Sequence, residues 1–144
     1  MNASSPTAAA GSRATRSRRF DPPGWSVERF AQFWANPSAD DVPDLVTDDV
    51  VGWWPGADRP VRGVGAYTQA LADLLELLPD IRLRVAEHAS NGERVFVRWI
   101  MRATGRLGPF ELTGIDRIRL RDGRVDENII RFDSAHLRRL AGMD

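Results

Sequence analysis

The chain contains no cysteine and no lysine, only two histidines (His88 and His136), a single tyrosine (Tyr67), and nowhere a long apolar run. Each absence closes a class of chemistry. Without cysteine there is no disulfide, no thiolate nucleophile and no cysteine-ligated zinc. Without lysine there is no Schiff base, no pyridoxal phosphate anchor and no phosphate-loop lysine, and all 20 basic residues are Arg. With two histidines a metal site would have to lean on carboxylates, and no metal is expected. No stretch approaches the roughly 18 apolar residues that a membrane-crossing helix needs, so no membrane partner is expected. A Gly-x-Ser-x-Gly elbow and a glycine-rich phosphate loop are both missing from the sequence.

What is present suits one folded domain. The 144 residues are enough for one core and too few for two, and 42% hydrophobic with 28% charged residues is the mix of a folded, water-exposed protein. Residues 1–19 carry Arg13, Arg16, Arg18 and Arg19 and no acid among Ser, Ala, Thr and Gly. Such a composition cannot bury a core, so residues 1–24 are expected to be a disordered tail and 25–144 a single domain. Residues 20–144 carry 16 Arg against 20 acids. A nucleic-acid binder would show its basic excess there, so no nucleic acid is expected as partner. Arg18-Arg19 has the look of an export signal, but Phe20-Asp21-Pro22-Pro23-Gly24 stands where its apolar segment would begin, which points to a cytoplasmic protein.

Periodicity gives the elements in order. Ser26 caps a helix with Val27, Phe30, Ala31 and Trp34 on one face, and Asn36-Pro37 ends it. A short acidic helix follows over 41–46, then a strand over 49–54 that runs into the Pro55-Gly56 turn. Tyr67, Leu71, Leu74, Leu75 and Leu78 form the stripe of a longer helix stopped by Pro79. Four strands come next: Ile81, Leu83 and Val85 alternate with Arg82 and Arg84, Asn91-Gly92 turns into 94–104, residues 105–109 connect to 110–121, and Asp122-Gly123 turns into 124–133. A short helical tail holds His136 and Leu137. The order α-α-β-α-β-β-β-β predicts an α+β fold: a curved antiparallel sheet wrapped around helices, a cone-shaped barrel with one internal pocket.

The alternation of strands sorts side chains into faces. Over 110–121, Phe110, Leu112, Gly114, Asp116, Ile118 and Leu120 share one face, while Glu111, Thr113, Ile115, Arg117, Arg119 and Arg121 share the other. Asp116 thus sits among apolar residues, where lost hydration raises its pKa toward the range useful for proton transfer. The alternative is a buried Asp satisfied by an Arg or by backbone donors. On the last strand Asn128, Ile130 and Phe132 face one way, opposite Val125, Glu127 and Ile129, which makes Asn128 a candidate to orient Asp116 or a substrate oxygen, unless a bulge flips the strand. On 94–104 the uncharged set Val95, Val97, Trp99 and Met101 is placed inward, with Arg98 as a secondary candidate for a pocket cation. Trp53 and Trp54, adjacent and therefore opposed, are candidates for an aromatic wall, and Tyr67 for a neutral donor. Met101, Leu112, Ile130 and Phe132 complete the expected substrate-binding set. His88 shares the parity of Arg82 and Arg84 and is expected to be exposed; His136 is expected to be solvated in the tail.

Several strings, in this order and spacing, resemble the SnoaL-like branch of the nuclear transport factor 2-like superfamily. They are Thr47-Asp48-Asp49-Val50-Val51, Arg62-Gly63, Leu78-Pro79-Asp80-Ile81-Arg82, Gly92-Glu93-Arg94-Val95, and Gly114-Ile115-Asp116-Arg117-Ile118-Arg119 with Asp122-Gly123-Arg124-Val125-Asp126-Glu127-Asn128. The resemblance spans about residues 25–133. It implies a cofactor-free cone, usually a homodimer, in which the Asp of the Gly-Ile-Asp string, here Asp116, acts as general acid and base in an intramolecular aldol closure. The departures are specific. Ala103 stands where many such cyclases carry a His; Trp54 stands where ketosteroid isomerases carry their base; and Arg98-Trp99-Ile100 with Ile130 breaks the acid and arginine set of the limonene-type epoxide hydrolases.

Two functional classes fit these residues. The first is a small-molecule cyclase or isomerase of secondary metabolism, such as antibiotic biosynthesis, which folds an apolar, polyketide-like substrate against Trp and Leu side chains. The second is a non-catalytic ligand-binding or dimerisation domain in which Asp116 is structural; an epoxide hydrolase ranks behind both.

Overall fold

The computed structural model describes residues 24–143, so the basic segment at 1–19 lies outside the described residues. Helix α1 spans Val27–Ala35, where the Ser26 hydroxyl accepts the Arg29 amide at 3.2 Å and satisfies one of the donors a helix start leaves open. A 3-10 turn follows at Ala39–Asp44, two residues ahead of the acidic helix read from the sequence, because Ser38 caps it through the Asp40 amide. Strand β1 is Val46–Trp53 and β2 is Val61–Arg62. Helix α2, Val64–Leu77, starts behind Gly63, whose φ of +90° turns the chain into it and whose carbonyl accepts the Tyr67 amide at 2.9 Å. Then come β3 (Arg82–Asn91), β4 (Arg94–Gly105), β5 (Gly108–Arg121), β6 (Arg124–Arg131) and α3 (Ser134–Ala141), the last capped by the Asp133 carboxylate on the His136 amide.

The six strands form one open sheet in the order β2-β1-β6-β5-β4-β3. The expected antiparallel meander is present in β3 to β6, but β1 pairs parallel to β6, and the sheet does not close. Helix α1 packs on β3 and α2 on β1 and the 3-10 turn, so helices cover the inner face of the sheet. The core collects there: Val95, Val97, Trp99 and Met101 from β4, Ile118 from β5, Phe30 and Phe33 from α1, and Leu71 from α2 are all buried. Burying each of these large side chains contributes roughly 1.5–3 kcal/mol.

Register decides which side chains reach that face. β4 and β5 pair without interruption from Arg94↔Arg119 to Gly105↔Gly108, so the alternation read from the sequence holds along both. β6 carries one extra residue at Asp126 relative to β5, since Arg119 faces Glu127 while Leu120 faces Val125. This bulge turns Val125 inward, against the alternation, while Asn128 and Ile130 beyond it stay on the inner face. A similar shift near Ala86 separates His88 from the parity of Arg82 and Arg84; His88 pairs with Val97 yet remains exposed near the end of the edge strand. The outward Arg row is paired with acids: Arg117 with Glu127, Arg119 with Asp126 at 2.8 Å, and Arg121 with Asp49 at 2.6 Å.

One glycine matters more than its neighbours. Gly114 faces Trp99 across the β4–β5 ladder, and the Trp99 ring lies directly on its α-carbon side. A methyl group there would overlap the indole and stand 2.8 Å from the Arg131 carbonyl oxygen. Gly114→Ala is therefore expected to lower unfolding stability by about 1–3 kcal/mol, read by urea denaturation. An unchanged midpoint would show that the indole is not seated on Gly114.

Candidate active site

The inner face of the sheet and the helices above it enclose a cavity of about 370 Å³. Its walls are mostly aromatic and aliphatic, with Trp25, Phe30, Phe33 and Trp34 from α1 and its approach, Leu71 and Leu74 from α2, and Leu137 from α3. Trp25 is fixed at this wall because its amide donates to the Gly123 carbonyl at 2.6 Å, tying the start of α1 to the β5–β6 turn. No Arg and no His lines the cavity among the described residues, and the ionisable groups that do are Asp73, Tyr67 and Asp116. Asp73 is exposed and accepts from Gln69 at 2.8 Å, so it belongs to the rim.

The polar part of the wall is built from three elements. Asp116 on β5 is buried, with 6% of its surface exposed, and its neighbour across the ladder on β6 is Ile130. Asn128 lies two residues away on β6, on the same face, and its amide nitrogen donates to Asp116 Oδ2 at 3.1 Å. The indole N–H of Trp99 on β4 donates to Asp116 Oδ1 at 2.9 Å. The same Asn128 Nδ2 donates to the Tyr67 hydroxyl oxygen at 3.1 Å, which links the sheet to α2. Burial pushes the Asp116 carboxyl up to about 6, against the smaller downward pull of the hydrogen bonds from Trp99 and Asn128. Burial also raises the Tyr67 phenol well above its usual value, opposed by the Asn128 hydrogen bond and reinforced by the Asp116 charge. Tyr67 is thus a hydroxyl at any working pH, while Asp116 titrates close to neutrality. The Asn128 carbonyl oxygen is buried and has no partner among the described residues.

The other expected residues separate into two groups. Trp54, Tyr67, Trp99, Met101, Ile130 and Phe132 line the cavity, with the Trp54 and Tyr67 rings edge to face at 5.1 Å. Trp53 does not: it points to the outer face, 36% exposed, and its indole N–H reaches Glu127 at 3.2 Å, as alternation after the buried Gly52 requires. Leu112 is buried opposite Met101 but does not line the cavity, because the Trp99 ring over Gly114 stands between it and Asp116. Arg98 is no pocket cation, since it turns outward to Glu87 at 2.6 Å. His136 contacts Arg139 through Nδ1 at 3.3 Å, and its neighbour Leu137 is the residue of α3 that enters the wall. The contributions of α1 and of Val125 were not visible in the sequence; an apolar stripe states that a helix face is covered, not what covers it.

Comparison with known proteins places this geometry in context. The family described as SnoaL-like domain matches residues 27–128. No curated protein matches the chain. Among solved structures, TerC, co-crystallized with polyporic acid, is 20% identical with a TM-score of 0.70, over 81% of this chain and 95% of that one. An NTF2-like protein of unknown function from Burkholderia pseudomallei is 22% identical with a TM-score of 0.70, over 80% and 93% of the two chains. IdmH from Streptomyces antibioticus, a proposed polyketide cyclase, is 21% identical with a TM-score of 0.68, over 81% and 96%. At these identities the likeness is one of fold.

The buried carboxyl makes stability depend on pH with a defined sign. Its pKa is higher in the folded chain, about 6, than the ordinary 3.8 of an unfolded one. Between those values the folded state holds a proton that the unfolded state has released, so the Asp116 contribution falls as pH rises through the window and then levels off. Asp116→Asn removes this dependence, and its amide can be accommodated: Oδ1 accepts from Trp99 while a flipped Asn128 accepts from its N–H. The stability of the variant relative to the parent is expected to rise by about 2–3 kcal/mol between pH 4 and pH 7, measured by denaturant unfolding. A difference that stays flat across the window would contradict the burial of an ionising group.

Proposed function

The chain belongs to the SnoaL-like domain family, and from that membership we propose that it is a cofactor-independent cyclase or isomerase of an apolar, polyketide-like small molecule. The observation that carries this reading is the Asp116 carboxyl: a titratable group at the wall of a largely apolar cavity, held by two neutral donors and, among the described residues, by no cation. Such a group is a base at neutral pH and a competent acid once it holds the proton, because its pKa lies near the working pH.

The reaction that uses it is an intramolecular aldol closure. The Asp116 carboxylate takes the proton from a carbon next to a substrate carbonyl, breaking that C–H bond. The enolate carbon then bonds to a second carbonyl carbon of the same molecule, whose oxygen becomes an alkoxide, and Asp116 returns the proton to that oxygen. The substrate is isomerised, and no external oxidant, reductant or group donor is consumed. The aromatic and leucine walls hold the flexible substrate folded with its reacting carbons close, which is a large part of the rate advantage of any ring closure. Asn128 and Trp99 fix the carboxylate plane and leave its remaining lone pairs for the substrate proton.

A second reading has an observation of its own. Both carboxylate oxygens of Asp116 already accept a hydrogen bond, which is also the pattern of a structural acid in a ligand-binding domain. The two readings part on Asp116→Asn assayed with a panel of partly cyclised aromatic polyketones. The catalytic reading expects turnover to fall by about 10²–10⁴-fold with the fold intact, and kcat/KM of the parent to rise with pH through about 6. Unchanged turnover in the variant would remove Asp116 from the reaction.

A further inference from the structure

The hydrogen bonds around Asn128 leave two polar valences unused, and both belong to residues of the cavity wall. The Asn128 amide nitrogen is spent on Asp116 and Tyr67, while its carbonyl oxygen, fully buried, accepts from nothing among the described residues. The Tyr67 oxygen accepts from that amide, so its own proton is free for another acceptor, and no described residue takes it. An amide has a single plane and its Nδ2 anchors both contacts, so the free carbonyl and the free phenolic proton start from the same short polar segment. A buried acceptor left without a donor costs stability, and a ligand that satisfies it recovers this on binding.

We propose that Tyr67 and Asn128 form a subsite for one neutral hydroxyl group of the ligand, an enol or a phenol, which accepts from the Tyr67 O–H and donates to the Asn128 carbonyl oxygen. A ketone oxygen or an ether oxygen satisfies only the first of these contacts. A carboxylate or a phenolate offers no proton to Asn128 and meets no cation, since no Arg or His lines the cavity among the described residues. The subsite therefore selects the enol over the ketone of the same skeleton, and a hydroxylated ring over its methyl ether. Tyr67 remains a donor because burial holds its phenol un-ionised. The inference rests on the reading of the cavity as a site for an apolar, ring-bearing molecule.

Equilibrium dialysis at pH 7 with 2-naphthol, 2-methoxynaphthalene and 2-methylnaphthalene tests it on the whole protein. The naphthol is expected to bind about tenfold more tightly than the methyl ether, and the ether more tightly than the hydrocarbon. In Tyr67→Phe, which keeps the ring against Trp54, naphthol affinity is expected to fall about tenfold while that of 2-methylnaphthalene stays unchanged. Equal binding of naphthol and its ether would overturn the Asn128 contact, and naphthol affinity unchanged in Tyr67→Phe would overturn the Tyr67 contact. If the hydrocarbon and both oxygenated probes all fail to bind, the cavity reading itself falls and this subsite with it.

Discussion

A carboxyl group surrounded by apolar side chains must either find a cation, give up its charge, or be held at a pKa where both forms are close in energy. Among the described residues no cation reaches Asp116 from the cavity wall, and the two donors that do, Trp99 and Asn128, are neutral. Hydrogen bonds of this kind stabilise the charged form less than an ion pair would, so burial prevails and the carboxyl sits near 6. The 16 arginines among the described residues make the exclusion more telling. Arg117, Arg119 and Arg121 lie on the same strand as Asp116, one side chain out of phase, and each is committed to an acid on the outer face. Alternation along one strand thus keeps three permanent charges within a few residues of a titratable one without letting them reach it.

The rest of the fold works to hold that arrangement. Trp99 can present its N–H to Asp116 only because Gly114, between Asp116 and Leu112 on β5, has no side chain where the indole lies. Asn128 can reach both Asp116 and Tyr67 only because the β6 bulge at Asp126 takes up the extra residue before Asn128 rather than after it. Helix α2 brings Tyr67 over the sheet, and its hydroxyl, accepting from the Asn128 amide, ties helix to sheet by one polar contact in a largely apolar interface. Such a network is worth more as a specifier of geometry than as a source of stability, since the buried carboxyl itself costs stability at neutral pH.

How much of this was readable from residues alone follows from what each signal contains. Asp116 was readable because β4 and β5 run twelve pairs in unbroken register, over which a period of two cannot lose phase. Asn128, Ile130 and Phe132 were readable because all three lie beyond the bulge; Val125, on the other side of it, was not. The pair Trp53-Trp54 carried the information that one of them faces out, but nothing in two adjacent aromatics says which. β2 is two residues long and leaves no periodic trace, and the parallel pairing of β1 with β6 has none either, because strand direction does not alter alternation. The aromatic wall contributed by α1 was visible as a stripe and invisible as a wall, because periodicity marks a helix face as covered without saying by what.

The site depends on one aspartate of this chain ionising near neutrality. Carbon-13 NMR of protein labelled at the aspartate side-chain carboxyl, followed from pH 3 to 8, reads it directly, with the Asp116 signal assigned by its loss in Asp116→Asn. This resonance is expected to titrate with a midpoint of about 6, well above the ordinary 3.8 of an aspartate. A midpoint near the ordinary 3.8 would mean that the carboxyl is hydrated or paired with a cation, and would contradict that expectation.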